Sequence, residues 1–181
     1  MVKIILIGIA VIGIPLGGLL VYAFFKSPEM HVSRELLINA TPEAIFPHIN
    51  DSKKSYQWVT WMDDDPKVVM SYSGPSEGLG SIASWKSTGM MGEGTAEIVG
   101  SVVNRSVKTK LSFLKPMEMS QLLDVSLNPS TGGTLVRLSL SWNNPFVLRL
   151  VCIFVDMEKK MGGSFEKALS NLQRIVEVKS K

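Results

Sequence analysis

A chain of 181 residues with 45% apolar content can bury one sizeable core, so one globular domain plus an appendage is expected. The net charge of +3 falls to +1 when Lys3 and Lys26 are set aside, and no run of Lys or Arg marks a nucleic-acid partner. The single cysteine, Cys152, excludes an internal disulfide and any site built from several thiolates.

The appendage comes first. Ile4 to Phe25 carries no charge. As a helix rising ~1.5 Å per residue it reaches about 33 Å, enough for a hydrocarbon core of ~30 Å. Lys3 and Lys26 bracket it, Tyr22, Phe24 and Phe25 fall near one end, and Pro15 with several glycines is tolerated in lipid. The expectation is a single-pass membrane anchor over 1–26, touching the membrane through residues 4–25, with a linker at 27–30. The alternative is a cleaved secretory signal, although the run exceeds the usual ~7–15 apolar residues. Lys3 with the amino terminus balances Lys26 and Arg34, so the side of the membrane stays open.

His31 to Ile38 reads as a strand. Thr41 then caps a helix with Pro42 in its first turn, and Pro47 keeps that helix short or kinked. Asp51 opens a second short helical piece carrying Trp58 and Trp61. From Pro66 the period changes to two, and some six strands follow, separated by Gly74-Pro75, the glycines near Gly92 and Thr131-Gly132-Gly133. The clearest alternation sets Val107, Thr109, Leu111 and Phe113 against Ser106, Lys108, Lys110 and Ser112. Half-polar strands joined by short turns predict an antiparallel sheet with one wet face.

Asn143 to Val178 reads as one long amphipathic helix, with Asn144 as N-cap and Pro145 in the first turn. Val151, Phe154, Val155, Met161, Phe165, Leu169, Leu172 and Val176 share a face on a 100° wheel. Glu158 interrupts that apolar stripe. The overall plan is α+β, with the helices on one side of the sheet.

Particular words carry a resemblance: Ile38-Asn39-Ala40-Thr41-Pro42-Glu43 with Phe46 and Asp51, then Trp58, Trp61 and Asp65-Pro66. Further on come Tyr72-Ser73-Gly74-Pro75, Gly78, Gly80, Trp85, Gly133-Thr134, Met161-Gly162-Gly163, Phe165-Glu166-Lys167 and Asn171-Leu172. On these the chain resembles the START-like superfamily of helix-grip proteins, and within it the membrane-anchored polyketide cyclase/dehydrase-type (SRPBCC) members. The resemblance implies a curved antiparallel sheet wrapped around a long C-terminal helix over 31–181, plus one N-terminal transmembrane helix. It also implies a helix–sheet cavity, which the superfamily uses for lipid transfer, hormone binding or ring-forming chemistry. The chain departs from the pattern at Leu138, where an aromatic is implied, and at Trp142, where a glycine is, so the pocket is reshaped.

Trp58, Trp61, Trp85, Phe113, Leu138, Phe154, Met157, Met161 and Phe165 are the candidate cavity lining, as a group equally readable as plain core, and singly more often core. Glu158 is either a ligand contact or acid/base with a raised pKa, or a carboxylate held by a local ion pair or hydrogen bond. Asp63-Asp64-Asp65 lacks the spacing of a calcium loop and reads as a solvated turn; His31 and His48 make no zinc pair. Gly162-Gly163, costing about 1 kcal/mol per glycine relative to alanine, implies close packing or a hinge. The leading expectation is a membrane-tethered, monomeric, cofactor-free module for a small hydrophobic molecule or lipid. A cyclase-like enzyme and a structural protein with a filled cavity are the alternatives.

Overall fold

The computed structural model describes the backbone of residues 2–60, 65–89 and 91–178, and the side chains of all these except 2–12 and 178. They form two compact units, Met1–Met30 with Asn143–Met157, and His31–Trp142 with Glu158–Lys181.

The sheet has seven strands. They are β1 (Glu29–Ile38), β2 (Val69–Ser73), β3 (Ile82–Lys86), β4 (Glu93–Val102), β5 (Ser106–Lys115), β6 (Met119–Ser130) and β7 (Gly133–Asn143), in the spatial order β1-β7-β6-β5-β4-β3-β2. From β2 to β7 each strand pairs antiparallel with the next in sequence. Such hairpin connectivity follows from the short turns between alternating runs. The β4–β5 register shifts at Glu93/Gly94 and Ile98/Gly100, irregularities of the kind that bend a strand and increase its twist.

Before β2 come α2 (Pro42–Asn50), a short helix of nine residues with Pro47 inside it, and α3 (Ser52–Ser55). Asp51 caps α3, its carboxylate accepting from the amides of Lys53 at 2.8 Å and Lys54 at 3.1 Å. Ile45 of α2 is fully buried, and Ile38, Val107, Val136 and Leu138 from the sheet share that core. Burying each such side chain contributes about 1.5–3 kcal/mol against the cost of ordering the chain.

The terminal helix is two helices. α4 (Phe146–Phe154) stops at Val155, which is extended, and α5 (Met157–Val178) starts anew. Asp156, a residue type favoured at an N-cap, lies at the junction. The apolar run from Phe146 to Val155 gives way there to Asp156-Met157-Glu158-Lys159-Lys160. On α5, Phe165, Ala168, Leu169, Leu172 and Val176 are buried, a spacing that makes one helical stripe. On α4, by contrast, Val151 and Phe154 are exposed, as is Val155 just after it. Polar bonds fix α5 in its unit: Thr60 donates to the Ser164 carbonyl at 3.3 Å, and Glu177 accepts from the Asn39 amide at 3.1 Å.

In the other unit α1 (Val2–Phe25) packs with α4, and the Lys26 ammonium donates to the Cys152 carbonyl at 2.8 Å. A cation at the C-terminal end of α4 complements that helix's dipole. The expectation of a single-pass membrane chain is corrected here. Among the described residues no helix is long and apolar enough to cross a membrane.

Candidate functional site

The inward faces of β3, β4 and β5 are built in rows set by their register. Trp85, Gly94 and Phe113 lie abreast, then Ala83, Ala96 and Leu111, then Ile98 and Thr109 with Leu123 of β6. The middle row is small on two strands. Large residues on either side of Ala83 and Ala96 therefore leave a depression that no side chain of the sheet fills. Gly94 is required by its neighbour: a Cβ there would collide with the Trp85 ring and with the Ser112 carbonyl. Trp85 meets Phe113 edge to face, with centroids 5.2 Å apart and planes at 69°.

Over this depression lie Ile49 of α2, Ser52 and Ser55 of α3, and Tyr56, Trp58 and Val59 just beyond, enclosing a cavity of about 80 Å³. Its outer wall is half-exposed: Tyr56, Val59, Met70 and Met91. Trp58, only 1% exposed, is held by its indole N–H donating to the His48 carbonyl at 2.9 Å and by Asn171 of α5 donating to its own carbonyl at 3.4 Å. Ser55 donates to the His48 and Ile49 carbonyls, and the hydroxyls of Ser52 and Ser81 share a 2.8 Å bond. Among the described residues no charged side chain borders the cavity.

One carboxylate supports the wall from outside. Asp65 accepts from the Ser87 hydroxyl at 2.9 Å, the Met91 amide at 3.1 Å and the Lys67 amide at 3.2 Å. Met91 also takes the Trp85 indole N–H on its carbonyl at 3.2 Å, so this clasp positions two cavity residues together. The Met91 amide chiefly holds the Asp65 carboxyl below its usual range; the Ser87 hydroxyl and Lys67 add to this, and burial works against it. Gly89 leaves the clasp room, since a Cβ would strike both carboxylate oxygens. At the neighbouring surface, burial first and then Tyr56 and Asp51 push the Tyr72 phenol up.

Of the residues singled out from sequence, Trp58, Trp85 and Phe113 border this cavity. Leu138 and Phe165 are buried on β7 and α5 without bordering it, and Met161 is half-buried on α5. Phe154 sits on α4, in the other unit, 76% exposed. Trp61, Asp63 and Asp64 lie outside the described residues. Glu158 is at the surface of α5, its side chain 54% exposed, and accepts from Arg34 of β1 at 2.6 Å. Arg34 also donates to Glu166 at 2.9 Å, and its guanidinium lies where a side chain on Gly162 would be. Of the two alternatives for Glu158, the geometry matches the carboxylate held by an ion pair. Gly162 marks a close approach of Arg34, whereas a Cβ on Gly163 would meet only open space.

Sequence reasoning passed over Ala83, Ala96, Thr109, Leu111, Leu123 and Met91 as lining. The period-two alternation already placed the strand members on one face; the signal available but unused was the run of small residues opposite large ones. Among the described residues no group of His, Cys, Asp and Glu could hold a metal ion.

No protein-family profile matches the chain, and no curated protein does. Solved structures do. The chain is similar to the Staphylococcus aureus protein SA2116, of unknown function, at 13% identity and TM-score 0.60 over 84% of this chain and 96% of that one. It is also similar to Aha1 from Colwellia psychrerythraea, solved as a dimer, at 17% and 0.57 over 82% and 97%. Ara h 8.0201 matches at 11% and 0.52 over 80% and 97%. At such identities the likeness is one of fold: an antiparallel sheet with a C-terminal helix, the helix-grip arrangement.

Proposed function

We propose that the unit formed by His31–Trp142 and Glu158–Lys181 is a binding module for a small apolar molecule, taken up between Trp58, Trp85 and Phe113. The observation that carries this reading is the wall itself: aromatic and aliphatic, uncharged, and half-open to solvent along Tyr56, Met70 and Met91. Burying ~100 Å² of a ligand's apolar surface there contributes about 2.5 kcal/mol before the costs of association. The volume narrows the ligand. Sites for drug-sized molecules occupy ~300–1,000 Å³, whereas about 80 Å³ is available here. A single ring or a short chain is therefore the scale, with the methionine side chains yielding to admit it.

The small volume also favours a competing reading, a structural domain whose cavity serves only packing. Titrating benzene into the methyl-labelled full chain separates the two. Binding predicts saturable NMR shifts at Ile98, Leu111, Leu123 and Val125. Shifts that never saturate, or that are confined to the methyls of α1 and α4, would leave the packing reading in place. An acid/base role for Glu158 has no support in this geometry, since its carboxylate is engaged by Arg34 and does not border the cavity.

A further inference from the structure

Resting on that binding reading, we infer that the ligand is a compact ring bearing one neutral hydroxyl or carbonyl, with its polar atom at Thr109 and its edge against Trp85 and Phe113. The rows of the sheet set the positions. Ala83 and Ala96 form a flat floor, with Trp85 and Phe113 one row to one side and Ile98 and Thr109 one row to the other. Rows on one face are two residues apart, about 7 Å along the strand. A six-membered ring over the alanines therefore has an aromatic wall at one edge and a hydroxyl at the opposite edge.

The polar inventory singles out Thr109. Ser52 is committed to Ser81, and Ser55 to two carbonyls of α2. The hydroxyls of Thr109 and Tyr56 make no hydrogen bond to another described residue. Thr109 faces the cavity from its middle strand, whereas Tyr56 belongs to the outer wall. A hydroxyl can both donate and accept, so it suits an alcohol, a phenol or a carbonyl. It cannot neutralise a charge, and the lysines of β5, Lys108 and Lys110, alternate to the other face. A carboxylate or ammonium buried here would lose its hydration with no counter-charge, so charged analogues are rejected.

The test compares phenol, benzene and benzoate on the full chain by the same methyl titration, with Thr109→Val as the variant of matched shape. Phenol is expected to bind about tenfold more tightly than benzene, the worth of one net hydrogen bond. Benzoate is expected not to saturate, and Thr109→Val to bring phenol down to benzene's affinity. If benzene equals phenol, if benzoate binds as tightly, or if the phenol preference survives in Thr109→Val, the inference is overturned while the binding reading stands. If none of the three binds, the binding reading itself falls. The wild-type ranking decides the matter even where the variant fails to fold.

Discussion

Truncating Leu123 to alanine probes whether the cavity is a real, rigid void. Leu123 is 6% exposed on β6, borders the cavity, and lies between Thr109 of β5 and Leu140 of β7 in the sheet register. Core Leu→Ala changes cost about 2.7–5.0 kcal/mol, rising by ~24 cal/mol for each Å³ of void that fails to collapse. The cavity of about 80 Å³ lies directly beside the truncated side chain. The new space joins the old, so a loss of about 3–4 kcal/mol is expected. At ~2–4 °C per kcal/mol for a chain of this size, that is a fall in Tm of roughly 6–16 °C, read by circular dichroism. Benzene at ~100 times its Kd should then restore about 2.7 kcal/mol. A loss below ~1 kcal/mol, or no recovery with benzene, would mean that the sheet and α3 close over the gap, and the reasoning would fail.

Other substitutions give sharp outcomes. Gly94→Ala should displace Trp85, since the added methyl collides with its ring, and should shift Trp fluorescence while abolishing benzene binding; an unchanged spectrum and affinity would contradict the row geometry. Asp65, with its carboxyl held below the usual value of 3.8, stabilises the fold above that value and loses its contribution as pH falls through the lower folded value. Asp65→Asn should therefore flatten the acid limb of the stability–pH curve and speed hydrogen exchange at the Met91 amide, and identical acid limbs would count against the clasp. Glu158→Gln should leave benzene affinity unchanged, because the carboxylate sits at Arg34 and outside the cavity wall; a clear loss would return Glu158 to the site.

Much of the architecture could be read from residue patterns because period-two alternation is a local signal. Val107, Leu111 and their partners declare a face without knowledge of the rest of the chain. The break at Val155 was not readable that way. A helical wheel assumes continuity, and the apolar spacing from Val151 to Met161 happens to carry across the junction. Only the shift in composition at Asp156 marks it. The same assumption misplaces Glu158, which on the wheel interrupts an apolar stripe but occupies the first turn of α5. There a carboxylate is favoured by the helix dipole and Arg34 supplies its partner. Membrane crossing was read from an uncharged run and its flanking lysines and aromatics, and among the described residues no helix is long and apolar enough for it. The cavity lining depended on tertiary register, Trp85 beside Gly94 beside Phe113, which no single strand reveals.

The central claim is that a small apolar occupant enters the space above Ala83 and Ala96. Xenon-pressurised crystals of the full chain test it most directly. The account predicts an anomalous peak there, within van der Waals reach of Trp58, Leu111 and Leu123. Peaks found only elsewhere, or none at pressures that fill known apolar cavities, would contradict it.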